Sequence, residues 1–218
     1  MRAITSIFMT LILFISNTNA EPNAAVNNDK ADLKIYVENL IQQGYDVFHD
    51  SSLTEQDRRN KASELIQSHL YFDWMANYSL GRFRKKVEAD KIKEFINTYT
   101  NFVVKAYTDL TLNYHGEKGV FKSIKKIDDN LFMVSTEIVK PDTGSSIKVD
   151  YLVHKVADAK TPYLVGDIIT EGISILNSQQ SEFNNILSKR GIDGLIADLE
   201  NKIKKGDAKV TGSTTYPQ

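Results

Sequence analysis

Apolar residues first recur with helical spacing at Leu33, Tyr36, Val37, Leu40, Ile41 and Tyr45, predicting a helix from Asp32 to about His49. Ser52 or Thr54 can cap a second helix that carries Ala62, Leu65, Ile66 and Leu70 on one stripe. A short aromatic segment, Tyr71-Phe72-Asp73-Trp74-Met75, follows and ends at Leu80-Gly81. The strongest periodic signal comes next. Ile92, Phe95, Ile96, Tyr99, Phe102, Val103, Ala106, Tyr107, Leu110 and Tyr114 recur at three- and four-residue steps and make one broad apolar-aromatic face.

After His115-Gly116 the period shortens to two. Val120 to Ile127, Leu131 to Lys140, Ser146 to Val156 and Pro162 to Thr170 each read as a strand. Their connections are a few residues long, which predicts an antiparallel meander. In the third strand Ile147, Val149, Tyr151 and Val153 point one way, and Lys148, Asp150 and His154 the other. Two helices, Ser178 to Lys189 and Ile192 to Lys204, break at Gly191. Helices followed by a run of strands predict an α+β fold: a helical N-terminal half, its long aromatic helix packed against a curved four-stranded antiparallel meander, and C-terminal helices.

Both ends of the chain read differently. Met1 and Arg2, the nearly apolar run Ile4 to Ile15, and Thr18 and Ala20 at the −3 and −1 positions form the three-part pattern of a secretory signal peptide, cleaved after Ala20. The apolar run falls short of the ~20 residues needed to span a bilayer. Residues 21–30 are polar and rich in Asn and Ala, predicting a flexible leader; 31–205 then form one domain, and 206–218 a flexible tail.

Composition narrows the function. Of 27 basic residues only Arg2 lies in the signal, leaving 26 against 28 acidic ones, so no basic excess favours nucleic acid. The absence of cysteine excludes disulfides, thiolate catalysis and Cys-based metal sites. Export without cysteine suits a bacterial periplasm, where stray thiols are oxidised. The four histidines, His49, His69, His115 and His154, have no metal-ligand spacing.

Catalytic motifs are equally thin. Gly172-Ile173-Ser174-Ile175-Leu176 lacks the second glycine of a nucleophile elbow, so Ser174 reads as a capping or loop serine. Asp150, Asp167 and Glu171 offer carboxylates, which are also common on the wet face of an antiparallel sheet. The reading is therefore no enzyme. Arg82, Arg84, Lys85 and Lys86 form the densest basic cluster, either a solvated loop or a contact for an anionic headgroup or acidic partner. Ten Tyr, ten Phe and one Trp supply ample apolar volume, but periodicity does not distinguish a filled core from a lined pocket.

Several blocks, in order, resemble the MlaC family of periplasmic phospholipid-binding proteins, also called the toluene-tolerance family. They are Tyr71 to Met75 with Leu80-Gly81-Arg82-Phe83; the helix bearing Phe95, Phe102, Ala106 and Tyr107, closed by Tyr114-His115-Gly116; Ile147 to Tyr151; and Gly166 to Ile175 through Phe183 and Leu187 to Gly191-Ile192-Asp193-Gly194-Leu195. The resemblance implies a soluble carrier serving outer-membrane lipid asymmetry. Its ligand is phospholipid, with no cofactor. Its partners are an outer-membrane lipoprotein complex and an inner-membrane ABC transporter with an MCE-domain ring, and a monomer is expected.

An acyl chain of about sixteen carbons left in water costs on the order of 12 kcal/mol, so a carrier must enclose the tails. The resemblance implies that Trp74, Phe102, Tyr107, Ile147, Val149, Tyr151 and Ile173 contact the tails. Arg82, Arg84 and Lys86 are the headgroup or docking candidates. Two other readings stand beside it: a protein-interaction module with a filled core, and a lipid hydrolase using Ser174 or the Asp150 and Asp167 carboxylates.

Overall fold

A computed structural model describes residues 22–111, 114–157 and 161–209. The signal-peptide stretch, residues 1–20, and residues 210–218 of the tail lie outside them. The first helix, α1 (Pro22–His49), starts ten residues before Asp32 and takes in most of the stretch expected to be a loose leader. Proline at the first helical position is pre-set for the helix. Tertiary contacts hold the polar turn that follows: Lys155 Nζ lies 2.6 Å from Asp29 Oδ1, and Tyr163 Oη donates to the Asp29 carbonyl at 3.3 Å.

Helix α2 (Glu55–His69) is capped by Thr54 rather than Ser52. Thr54 Oγ1 accepts from the Asp57 amide at 3.1 Å and donates to its carboxylate at 2.6 Å. The aromatic segment forms α3 (Phe72–Ser79), and a 3₁₀ turn (Gly81–Lys86) leads into α4 (Ala89–Thr111). Tyr114, read as the last residue of that long face, lies past the helix and stacks on Phe48 at 4.7 Å.

Five strands form one antiparallel sheet in sequence order: β1 (Lys118–Asp128), β2 (Leu131–Val139), β3 (Ser146–Lys155), β4 (Tyr163–Thr170) and β5 (Ile173–Ser174). The meander is as expected, with one strand more. β5 is too short to show a period of two. Its turn, Glu171-Gly172, has positive φ at both residues, as a type I′ hairpin requires. Glu171 is held there because its amide donates to the Lys148 carbonyl and its carboxylate accepts from the Lys148 amide.

Two buried clusters make the core. One joins α3, α4 and α5: Phe95, Tyr99, Phe102 and Val103 pack with Phe183, Leu187, Leu195 and Leu199. The other joins α1 to the sheet through Leu33, Val37, Phe132, Val134, Val153, Tyr163 and Val165. Leu70 and Ile168 touch both. The long helix is thus the centre of the helical layer, because α5 takes up its aromatic face; α1 is the helix laid along the sheet.

The C-terminal helix α5 (Ile175–Lys205) bends at Gly191, whose φ of 65° and ψ of −168° suit glycine alone, so the expected break is there. Gly206 closes it in the left-handed conformation, and Ala208 is buried, so the tail's first residues pack instead of fraying.

Candidate functional site

Between α1 and the sheet lies a cavity of about 220 Å³. Tyr36, Val37, Leu40 and Ile41 face it from α1, the two pairs one helical turn apart. Gly119 comes from β1; Val134, Thr136 and Ile138 alternate along β2; Tyr151 and Val153 come from β3 and Val165 from β4. Gly119 lets the helix come close: a Cβ there would meet Ile41 Cγ2 at 3.4 Å.

None of these wall residues carries a charge. The Thr136 and Tyr36 hydroxyls are engaged within the protein. Thr136 Oγ1 donates to the Val149 carbonyl at 3.1 Å. Tyr36 Oη lies 2.8 Å from the Tyr163 carbonyl, to which it donates, and 2.6 Å from His69 Nδ1. Burial raises the Tyr36 phenol to about 12, so it stays neutral. The lining suits hydrocarbon: it offers apolar contact and asks no charge to leave water.

The expected tail-binding residues are spread across the molecule. Tyr151 is in the cavity wall. Val149 is buried and Ile147 half-buried on the same pleat face of β3, directly across from Thr136 and Ile138 of the wall. Tyr107, on α4, has a buried hydroxyl with no hydrogen-bond partner. Burial, with Asp167 and Tyr151 nearby, pushes its pKa up.

Phe102 belongs to the helical core. Trp74 stacks on Tyr78 at 5.1 Å and tilts against His154 at 4.5 Å, outside the cavity lining. That contact explains Gly166, where a Cβ would sit 2.7 Å from His154 Nε2 and 2.9 Å from Trp74. Ile173 is exposed on β5. The α1 residues of the wall were legible only as a helical stripe, since nothing in the spacing says which surface a stripe covers.

Arg82, Arg84, Lys85 and Lys86 are exposed on the 3₁₀ turn. The groups considered for hydrolysis are engaged in local contacts. Ser174 caps α5, accepting from the Asn177 amide at 3.0 Å and donating to Asp167 Oδ2 at 2.6 Å. Asp167 Oδ1 accepts from the Leu176 amide at 3.0 Å. Burial raises the Asp167 pKa against these hydrogen bonds. Asp150 pairs with Lys148 at 2.9 Å. Among the described residues no His, Asp and Glu cluster offers three metal ligands, and no helix is long and apolar enough to cross a membrane.

Comparison with known proteins fits this arrangement. The family described as MlaC protein matches residues 38–201. The intermembrane phospholipid transport system binding protein MlaC of Haemophilus influenzae is 23% identical over 170 residues, 74% of this chain and 79% of that protein. The fold is shared with a phospholipid-binding protein from Ralstonia solanacearum solved in complex with a phospholipid: TM-score 0.65 and 18% identity, over 81% of this chain and 97% of that one. From the second half of α1 into the last turns of α5, the chain matches the family along most of its length, and it belongs to the MlaC family.

Proposed function

We propose that this protein is a phospholipid carrier of the periplasm that holds acyl chain in the cavity between α1 and the sheet. Exported and cleaved after Ala20, the mature chain would move as a monomer between an outer-membrane lipoprotein complex and an inner-membrane MCE-domain ABC transporter. The observation that carries this reading is the uncharged, apolar wall of a cavity in a chain of the MlaC family, one relative of which is named for intermembrane phospholipid transport. A filled-core interaction module would have no such space.

The cavity is smaller than the ~300–1,000 Å³ usual for small-molecule sites, so it takes part of one chain at its present width. Loading a whole lipid requires α1 to move off the sheet. The wall residues Tyr36, Leu40, Ile138 and Tyr151 then contact the tails, with Ile147, Val149 and Tyr107 extending the surface. The charged headgroup stays at the mouth, where it remains hydrated. No cofactor is needed.

Transfer of a fluorescent phospholipid between donor and acceptor vesicles tests the reading. The mature protein should raise the transfer rate in proportion to its concentration, and Ile138→Trp, which fills the cavity, should abolish most of that gain. No acceleration by the wild-type protein would contradict it. Release of free fatty acid from the same lipid would instead support the hydrolase.

A further inference from the structure

We propose that the 3₁₀ turn and the neighbouring start of α5 form a docking face for an anionic lipid bilayer. This rests on the carrier reading only in that a carrier has to meet membranes. The cations come from one short stretch. Arg82, Arg84, Lys85 and Lys86 are all exposed, and no acidic residue occurs from Tyr78 to Val87. None of the four is in an ion pair with a carboxylate among the described residues, whereas the cations of the α2–α4 contact, Arg59 and Lys105, both engage Asp109.

The turn is held firmly from beneath. Phe83 packs against the helical core, with Arg82 and Lys86 5.1 and 5.9 Å from its ring centre. Arg84 Nε donates to Asn77 Oδ1. Gln180 Nε2 donates to the Tyr78 carbonyl at 2.6 Å, tying the end of α3 to α5.

Apolar groups accompany the charge. Tyr78 is 39% exposed and Ile173 55%, two of the few large hydrophobic side chains that stand out from the described surface. Tyr78 Oη donates to Asn177 Oδ1 at 2.9 Å in the first turn of α5, and Ile173 lies just before the Ser174 cap of the same helix. A bilayer surface offers partners for both kinds of group. Guanidinium and ammonium groups pair with lipid phosphates, and Tyr and Ile side chains enter the headgroup layer. An acidic protein surface would meet the charge but leaves the exposed Tyr78 and Ile173 without a role.

Flotation with vesicles tests the proposal. Wild-type protein should float with phosphatidylglycerol-containing vesicles at low salt, remain behind with pure phosphatidylcholine, and detach as salt rises. Arg84→Glu combined with Lys86→Glu should reduce flotation by about tenfold or more, and Ile173→Ser should weaken it without removing the salt dependence. Unchanged flotation of the double variant, or no flotation of the wild type, overturns the proposal. So does normal flotation behaviour in a variant that slows only transfer from a protein donor, since that assigns the cluster to a protein partner. Lipid bound per protein, measured on the same samples, reports separately on the carrier reading; the double variant should keep the wild-type amount.

Discussion

His69 and His154 are half-buried, and burial lowers the pKa of each below its usual value near 6.5. His69 is also within hydrogen-bonding distance of Tyr36 at the cavity wall, and His154 lies under Trp74. A histidine kept neutral by the fold binds its proton more readily when unfolded. Its contribution to stability is therefore full above the usual histidine range and is lost as pH falls through it. Asp167 has the opposite sign: its carboxyl is raised by burial, so its cost is relieved only on acidification into the carboxylate range. The window between about pH 7 and 5.5 belongs to the histidines. Urea denaturation across that window should show stability falling with pH, and the double variant His69→Gln with His154→Gln should flatten the trend; equal slopes would contradict it. Individual residues were legible where backbone chemistry demanded them, as at Thr54 and Gly191. Gly166 was legible only as part of a family block, because the reason for it, the edge of Trp74 against His154, lies across the fold.

Among the elements, α1 bears most directly on the proposed function. It supplies four wall residues, and its Ile41 packs directly over Gly119 of β1. If loading requires α1 to move, a covalent tie at that point should block it. The natural chain has no cysteine, so Ile41→Cys with Gly119→Cys introduces a single pair at a point where a Cβ on residue 119 would sit 3.4 Å from the Ile41 side chain. Oxidised, this variant should neither take up nor release lipid, and reduction should restore both; exchange at the wild-type rate while oxidised would show that α1 is not the moving wall. Helices α1, α2, α4 and α5 and the four long strands were readable from periodicity because each has one apolar face; α3 was legible only as an aromatic segment, too short to show a helical period. The early start of α1 was not, because its first turns are polar and are held by Lys155 and Tyr163 from distant strands. Nor was the layering. Spacing predicts which face of α4 is buried, but the choice of α5 over the sheet as its cover depends on the three-dimensional path of the chain.

At the scale of the whole molecule, two separately packed cores meet through Leu70 and Ile168, and the cavity lies in the one formed by α1 and the sheet. This division gives a carrier a firm helical body and a sheet-side compartment in which hydrocarbon can replace protein contacts. The family was legible in the order of the sequence blocks, whereas the compartment was not, since a stripe on α1 and alternation along β2 acquire a common surface only when folded. The most direct test is mass spectrometry of a solvent extract from the mature protein purified without detergent. Phospholipid should be present at near one molecule per chain, and Ile138→Trp should lower that amount while its far-UV circular dichroism stays native. A wild-type protein that carries no phospholipid, or a folded Ile138→Trp that carries the full amount, would contradict a lipid cavity between α1 and the sheet.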